Sequence, residues 1–127
     1  MPTKQETFDT VAKHLLTQNA KAENTDEYGS LCAYRAADGK RCAAGCLIPD
    51  ELYSEDMEKQ YVAINFGPSE GQPTPPGKVI VELGHDLELV HALQKIHDRT
   101  VDVSTWRDQL RRLATSLGLS TEVLDNA

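Results

Sequence analysis

Hydrophobic positions recur at helical spacing in three stretches of the chain. In the first, Phe8, Val11, Ala12, Leu15 and Leu16 fall on one face, with Lys4, Gln5, Lys13 and Gln18 largely elsewhere. Thr3 followed by Glu6 has the spacing of a capping box, and together these features predict a helix over residues 3–20. In the second, Leu89, Val90, Leu93 and Ile96 share a face and predict a helix from Asp86 to Asp98, with Asp86 as N-cap. In the third, Trp106, Leu110, Leu113 and Leu117 recur every three or four residues. Asp102 or Ser104 can cap this helix, Gly118 is placed to end it with Leu119 folding back, and residues 121–124 add a final turn.

Between the first two helices the pattern changes. Residues 21–30 are polar and rich in turn formers, a connector. Leu31 to Arg35 reads as a short strand and Ala36 to Lys40 as the turn after it. Asp38-Gly39 permits two hairpin registers: a two-residue turn sets Arg35 opposite Cys42, whereas a type I turn with Gly39 left-handed sets Tyr34 opposite Cys42. Ala-Ala-Asp-Gly favours the second, which puts Cys32, Tyr34 and Cys42 on one face. Residues 43–48 fit a strand or a short helix of small residues. Ala favours the helix and Gly45 opposes it, and the balance falls to a short helix after a very short second strand. Pro49 ends either one. Residues 49–53 read as another helical start, with acids near the positive end of the dipole. Residues 61–66 predict a short strand. Residues 67–77 hold four prolines and three glycines in eleven positions, which predicts a mobile loop without regular structure. Residues 79–83 suit a strand by their β-branched side chains and a helix by the spacing of Ile80, Leu83, Leu87 and Val90. No internal repeat is visible. The predicted fold class is α+β: a mainly helical single domain over residues 1–127 with one small antiparallel β-hairpin.

Size and composition narrow this further. The chain has 127 residues, 39% apolar and 26% charged. That is one domain of ordinary globular composition and excludes collagen-like, mucin-like and fully disordered readings. A net charge of −7 disfavours nucleic acid and anionic membranes as partners. No apolar run approaches the ~20 residues of a membrane span. The polar start MPTKQETF lacks a signal peptide, and three cysteines without one fit reduced thiols in a cytoplasm. A homo-oligomer is compatible with the size, but no heptad seam specifies one.

Several groups of residues could carry chemistry. Cys32, Cys42 and Cys46, with a histidine, could complete a tetrahedral zinc site. Their spacing is not the two-residue knuckle, and Cys42 and Cys46 share a metal only if the chain between them is helical. Packing as small apolar residues is the plainer account of these cysteines. Cys42 or Cys46 with His85, His91 or His97 could form a thiolate–imidazolium pair. His85-Asp86 and His97-Asp98 are each a His-Asp dipeptide of the kind found in metal-dependent phosphohydrolases. Asp86 also suits an N-cap, and His97 a core-edge histidine bonded to Asp98 or to backbone. Asp50, Glu51, Glu55, Asp56 and Glu58 place five acids in nine positions, a surface for a cation, for a basic partner, or simply for water. Calcium loops need an internal glycine that this stretch lacks. Arg107 and Arg111 lie one helical turn apart and could grip a phosphate or carboxylate, although Asp108 can pair with Arg111 or Arg112. No phosphate-cradling glycine loop, serine elbow or zinc-protease motif is present.

One set of residues resembles a pattern found in other proteins. Cys32-Ala-Tyr-Arg35, then Gly39-Lys-Arg-Cys-Ala-Ala-Gly-Cys-Leu-Ile-Pro-Asp-Glu-Leu-Tyr53, preceded by His14-Leu-Leu-Thr-Gln18 and followed by Leu93-Gln-Lys-Ile-His-Asp98 and Trp106, resemble a family of small uncharacterised proteins of bacteriophages, prophages and bacteria. The resemblance covers residues 8–119 and carries no activity or site. It implies a phage accessory protein working in the cytoplasm of a bacterial host cell. Antagonism of a host or defence protein is a common role in that setting. Three functional readings follow. The first is a non-enzymatic protein that binds a host protein through residues 50–58 and 67–77. The second is a small-ligand or nucleotide-binding module using Arg107 and Arg111. The third is a zinc-dependent or thiol enzyme using the cysteines. The first is favoured, with no cofactor required.

Overall fold

The computed structural model describes residues 2–26, 29–58, 74–100 and 102–126. Among them are helices α1 (Lys4–Gln18), α2 (Pro75–Glu82), α3 (Leu87–Arg99), α4 (Trp106–Ser116) and α5 (Glu122–Asn126). Helix α1 packs on α3, α4 and α5, and α3 packs on α2 and α4. The core they enclose is filled by Phe8, Leu15, Leu93, Trp106, Leu110 and Leu124, all fully buried.

The helix ends follow from their capping residues. Thr3 Oγ1 accepts from the Glu6 N–H at 3.0 Å, and the Glu6 carboxylate accepts from the Thr3 N–H at 3.0 Å, the reciprocal box that starts α1. The Thr3 donors hold the Glu6 carboxyl below its usual range. Asp86 caps α3 by accepting from the Leu89 N–H at 2.8 Å. Asp102 caps a 3-10 turn, Val103–Thr105, that runs directly into α4. Gly118, left-handed at φ 71°, ends α4 and returns the Leu119 N–H to the Ala114 carbonyl at 2.8 Å. This turn brings α5 back against α1 and α4.

Residues 79–82 are helical, the end of α2, and Leu83 is its C-cap. Pro75 at the start of α2 needs no amide partner and has a pre-set φ, and Thr74 Oγ1 accepts from the Gly77 N–H at 3.3 Å. The end of the predicted 67–77 loop is therefore ordered helix from Pro75 onward. Residues 67–73 and the predicted strand at 61–66 lie outside the described residues.

The α+β class with a β-hairpin is corrected: the protein is mostly helical and the predicted hairpin is absent. Around the expected turn, Gly39 is left-handed and the Cys42 N–H reaches the Tyr34 carbonyl at 3.4 Å, but only one isolated bridge forms, Arg35 with Arg41. Competing partners take the groups a longer ladder needs. The Tyr34 N–H donates to the Glu58 carboxylate, and the Cys42 carbonyl that would pair with it accepts from the Cys46 N–H at 3.0 Å. Leu31 and Cys32 instead close a four-residue pairing with the upstream segment, Glu23 opposite Cys32 through Asp26 opposite Gly29. Beyond Cys42 the chain makes a 3-10 turn at Gly45–Leu47 and a second at Asp50–Leu52, short helical pieces instead of a strand. Among the described residues no helix is long and apolar enough to cross a membrane.

Gly45 marks the tightest point of this segment. A Cβ there would sit 2.1 Å from the Tyr34 carbonyl oxygen, a backbone atom that cannot swing aside. Gly45→Ala is expected to cost about 3 kcal/mol through this overpacking. Gly118→Ala meets nothing within 4 Å and is expected to cost only the left-handed strain of about 1 kcal/mol. Urea midpoints of the two variants check the order. His85, half-buried, places Nδ1 2.7 Å from Thr7 Oγ1, and burial holds its pKa below the ordinary 6.5. The unfolded chain then binds the proton more readily, so this contribution is full above pH 6.5 and is lost as pH falls below it. Stability measured from pH 7.5 down to pH 5 is expected to fall more steeply for the wild type than for His85→Gln.

Candidate functional site

Of the residues singled out by sequence, Cys42, Cys46 and the acids from Asp50 to Glu58 lie in the segment from Ala33 to Glu58, which is held from inside and from outside. The inner support is the buried face of α3, where Val90, Leu93, Gln94 and His97 fall together. His97 is fully buried. Its Nε2 accepts from the Ala22 N–H at 2.9 Å, so the ring proton sits on Nδ1, which donates to Asp98 Oδ1 at 2.8 Å. The ring stacks on Trp106, with centroids 5.7 Å apart. Gln94 donates to the same Asp98 oxygen at 2.8 Å and accepts from the Ala44 N–H at 2.9 Å. Lys21 Nζ donates to the Asp98 carbonyl at 3.0 Å.

A second clamp comes from α1. Gln18 spans the backbone of Arg41, accepting from its N–H at 2.9 Å and donating to its carbonyl at 2.9 Å. His14 Nε2 donates to that same carbonyl at 2.8 Å. One helical turn separates His14 from Gln18, so both reach one peptide group. The outer face of this part of α1 carries a shallow groove lined by Thr10, Lys13, His14, Thr17 and Gln18.

On the outside, Glu58 turns inward. Its carboxylate accepts from the Tyr34 N–H at 2.9 Å, the Arg35 N–H at 3.2 Å and the Tyr53 hydroxyl at 2.6 Å. Burial and the bond to Glu58 push the Tyr53 phenol up to about 12. The Arg35 guanidinium lies 4.4 Å from the centre of the Tyr53 ring. Arg35 Nη2 donates to the Ile48 carbonyl at 2.9 Å and to Asp50 Oδ1 at 2.8 Å. Arg41 Nη2 approaches that Asp50 oxygen at 3.4 Å.

The predicted residues fall into distinct roles within this frame. Asp50 and Glu58 are tied to the segment, whereas Glu51 and Glu55 are exposed. The Asp56 side chain lies outside the described residues, as does that of Cys32. Cys42 is buried, and its Sγ accepts from the Gly45 N–H at 3.3 Å. Burial pushes its thiol pKa well up. Cys46 stands one helical turn away and donates Sγ–H to the Ala43 carbonyl at 3.1 Å. Burial pushes its pKa up to about 12, against the opposing pull of Arg41. Among the described residues, no three His, Cys, Asp or Glu side chains come together where a metal ion could be held. Arg111 clasps α5, with Nη2 3.0 Å from Asp125 Oδ1 and Nη1 3.5 Å from Thr121 Oγ1. Arg107, half-buried on the same helix, is also engaged. The His-Asp pairs separate: His85 faces Thr7 while Asp86 caps α3, and His97 and Asp98 form the buried support.

Sequence reasoning missed Arg35, Glu58 as an inward anchor, Gln18 and Gln94. For Gln94 a signal existed, since it follows Val90 by four positions and precedes His97 by three, on the apolar side of α3. A polar residue there implies a buried hydrogen-bonding task. Comparison with protein-family models, with curated proteins and with solved structures found no match.

The thiols give a direct check. In a Cys32→Ser background, Cys42 and Cys46 are expected to resist a disulfide reagent at pH 8 and to react together after denaturation, because the thiolate is the reactive form. The rate in the native state is expected to be about a hundredfold below that of the unfolded chain. Timed absorbance of the released thiolate measures both.

Proposed function

We propose that the protein is a non-enzymatic accessory protein of bacteriophage origin that docks on a host protein through the acidic stretch Asp50–Glu58. The phage setting rests on the resemblance carried by residues 8–119. Docking rests on one observation: the stretch is anchored at both ends and presents its middle. Asp50 is paired with Arg35 and Arg41, and Glu58 is bonded to the backbone of Tyr34 and Arg35. Between these anchors Glu51 and Glu55 stand exposed, with Leu52 40% exposed beside them.

That arrangement suits a basic partner surface with a small apolar recess. Two exposed carboxylates steer the encounter, and the leucine supplies the buried contact. A backbone already fixed at both ends has less conformational freedom to lose on binding. By covering a basic surface the protein would inhibit a defence or other host protein that uses it. Two further observations favour binding over catalysis. The Cys42 and Cys46 thiols are held in the protonated, unreactive form, and Arg111 is committed to α5.

Charge reversal tests this reading. Immobilised wild-type protein is expected to retain a reproducible bacterial partner, and Glu51→Lys/Glu55→Lys is expected to weaken that binding at least about tenfold at low salt. The doubly reversed variant is expected to melt like the wild type, because both side chains are exposed. Equal retention by both proteins, or no specific retention by either, overturns the proposal.

A further inference from the structure

Arg35 and Arg41 form a second feature of this surface, independent of whether the acidic ridge docks on a partner. The isolated bridge sets the two residues directly opposite each other, so their side chains leave the backbone on the same side. Both guanidinium groups then meet at a single atom, Asp50 Oδ1, at 2.8 Å from Arg35 and 3.4 Å from Arg41. Two cations thus share one oxygen of one carboxylate.

The two sides of this contact are unequally held. The Arg35 side chain is only 20% exposed, lies over Tyr53 and donates to the Ile48 carbonyl. The Asp50 side chain is 77% exposed. The cation is therefore the enclosed side of the contact and the carboxylate the side open to exchange with solvent anions. Asp50 also uses the guanidinium incompletely. Nε and Nη2 of an arginine form a side-on fork that matches the two oxygens of an oxyanion. Asp50 contacts Nη2 alone, and Arg35 Nε is buried without a hydrogen-bond partner among the described residues. The nearby Glu58 carboxylate does not fill the fork, because it is taken by two backbone N–H groups and the Tyr53 hydroxyl.

We propose that Arg35 and Arg41 form an oxyanion-binding site in which Asp50 is a tethered occupant that an external carboxylate or phosphate group displaces. An untethered oxyanion can set one oxygen on Arg35 Nε and a second between Arg35 Nη2 and Arg41, whereas the short Asp50 side chain leaves Nε uncontacted. Asp50 then sets the threshold for binding, since an external anion must compete with it and its apparent affinity falls by the fraction of time the site is occupied.

The test uses the full chain, with sodium acetate and sodium phosphate as probes and sodium chloride to match ionic strength. Binding is read by titration of the Arg35 Nε–H resonance and by the shift in melting temperature. Asp50→Asn is expected to bind at least one of the two anions about tenfold more tightly than the wild type. The Arg35 Nε–H signal is expected to move on saturation. Adding Arg41→Gln, on a side chain 39% exposed and so compatible with folding, is expected to remove the gain. Preference for acetate assigns the site to a carboxylate-bearing ligand, and preference for phosphate to a phosphate-bearing one. The proposal is overturned if Asp50→Asn binds neither anion more tightly than the wild type, or if the gain survives Arg41→Gln with the Arg35 signal unmoved.

Discussion

Two backbone N–H groups, those of Ala22 and Ala44, lie fully inside the core, and the surrounding packing depends on pairing them. A buried amide left unpaired costs about 1–3 kcal/mol, a large part of the stability of a small domain. Neither amide finds a carbonyl in a sheet or helix. His97 and Gln94, neighbours on the buried face of α3, supply the acceptors, and Asp98 holds both side chains in the orientation that does so. Trp106 closes the remaining side of His97 with an aromatic face. The loops are therefore fastened by side chains of one helix, and that helix is positioned by α1, α2 and α4.

The helices were legible because their signals are local. The Thr3–Glu6 box, the Asp86 cap, the turn at Gly118 and the spacing of Phe8, Val11 and Leu15 can each be read within a few residues. The hairpin expected over residues 31–42 was misread for the opposite reason. Asp38-Gly39 does favour a turn, but whether flanking residues become strands depends on where their amides find partners. Glu58, more than twenty positions downstream, captures that of Tyr34. No local rule reports such a competitor. The α2 start at Pro75 was obscured because proline density reads as a loop, although one proline at the first helical position favours a helix.

The stretches His14–Gln18, Cys32–Tyr53 and Leu93–Asp98, with Trp106, acquire a common explanation. His14 and Gln18 grip the Arg41 peptide, Gly45 allows close approach to Tyr34, Gln94, His97 and Asp98 carry the buried amides, and Trp106 covers His97. Most of these polar groups spend their hydrogen bonds on backbone. A pattern rich in Cys, His and Asp reads as chemistry in one dimension, but here much of it shapes a segment whose outward side chains include Asp50, Glu51 and Glu55. The part of the site hardest to read was Arg35, since nothing local distinguishes it from any other surface arginine.

The reliance of the loops on α3 has a kinetic side. The Ala44–Gln94 bond joins residues 50 positions apart, and Ala22–His97 joins residues 75 apart. A helical domain ordinarily folds fast because its contacts are local. Here the segment from Ala22 to Glu58 cannot settle until a helix made much later in the chain has docked on α1. A chain emerging from the ribosome would present α1 and this segment well before α3 is available to hold them, so its native loop structure forms only once α3 has been made.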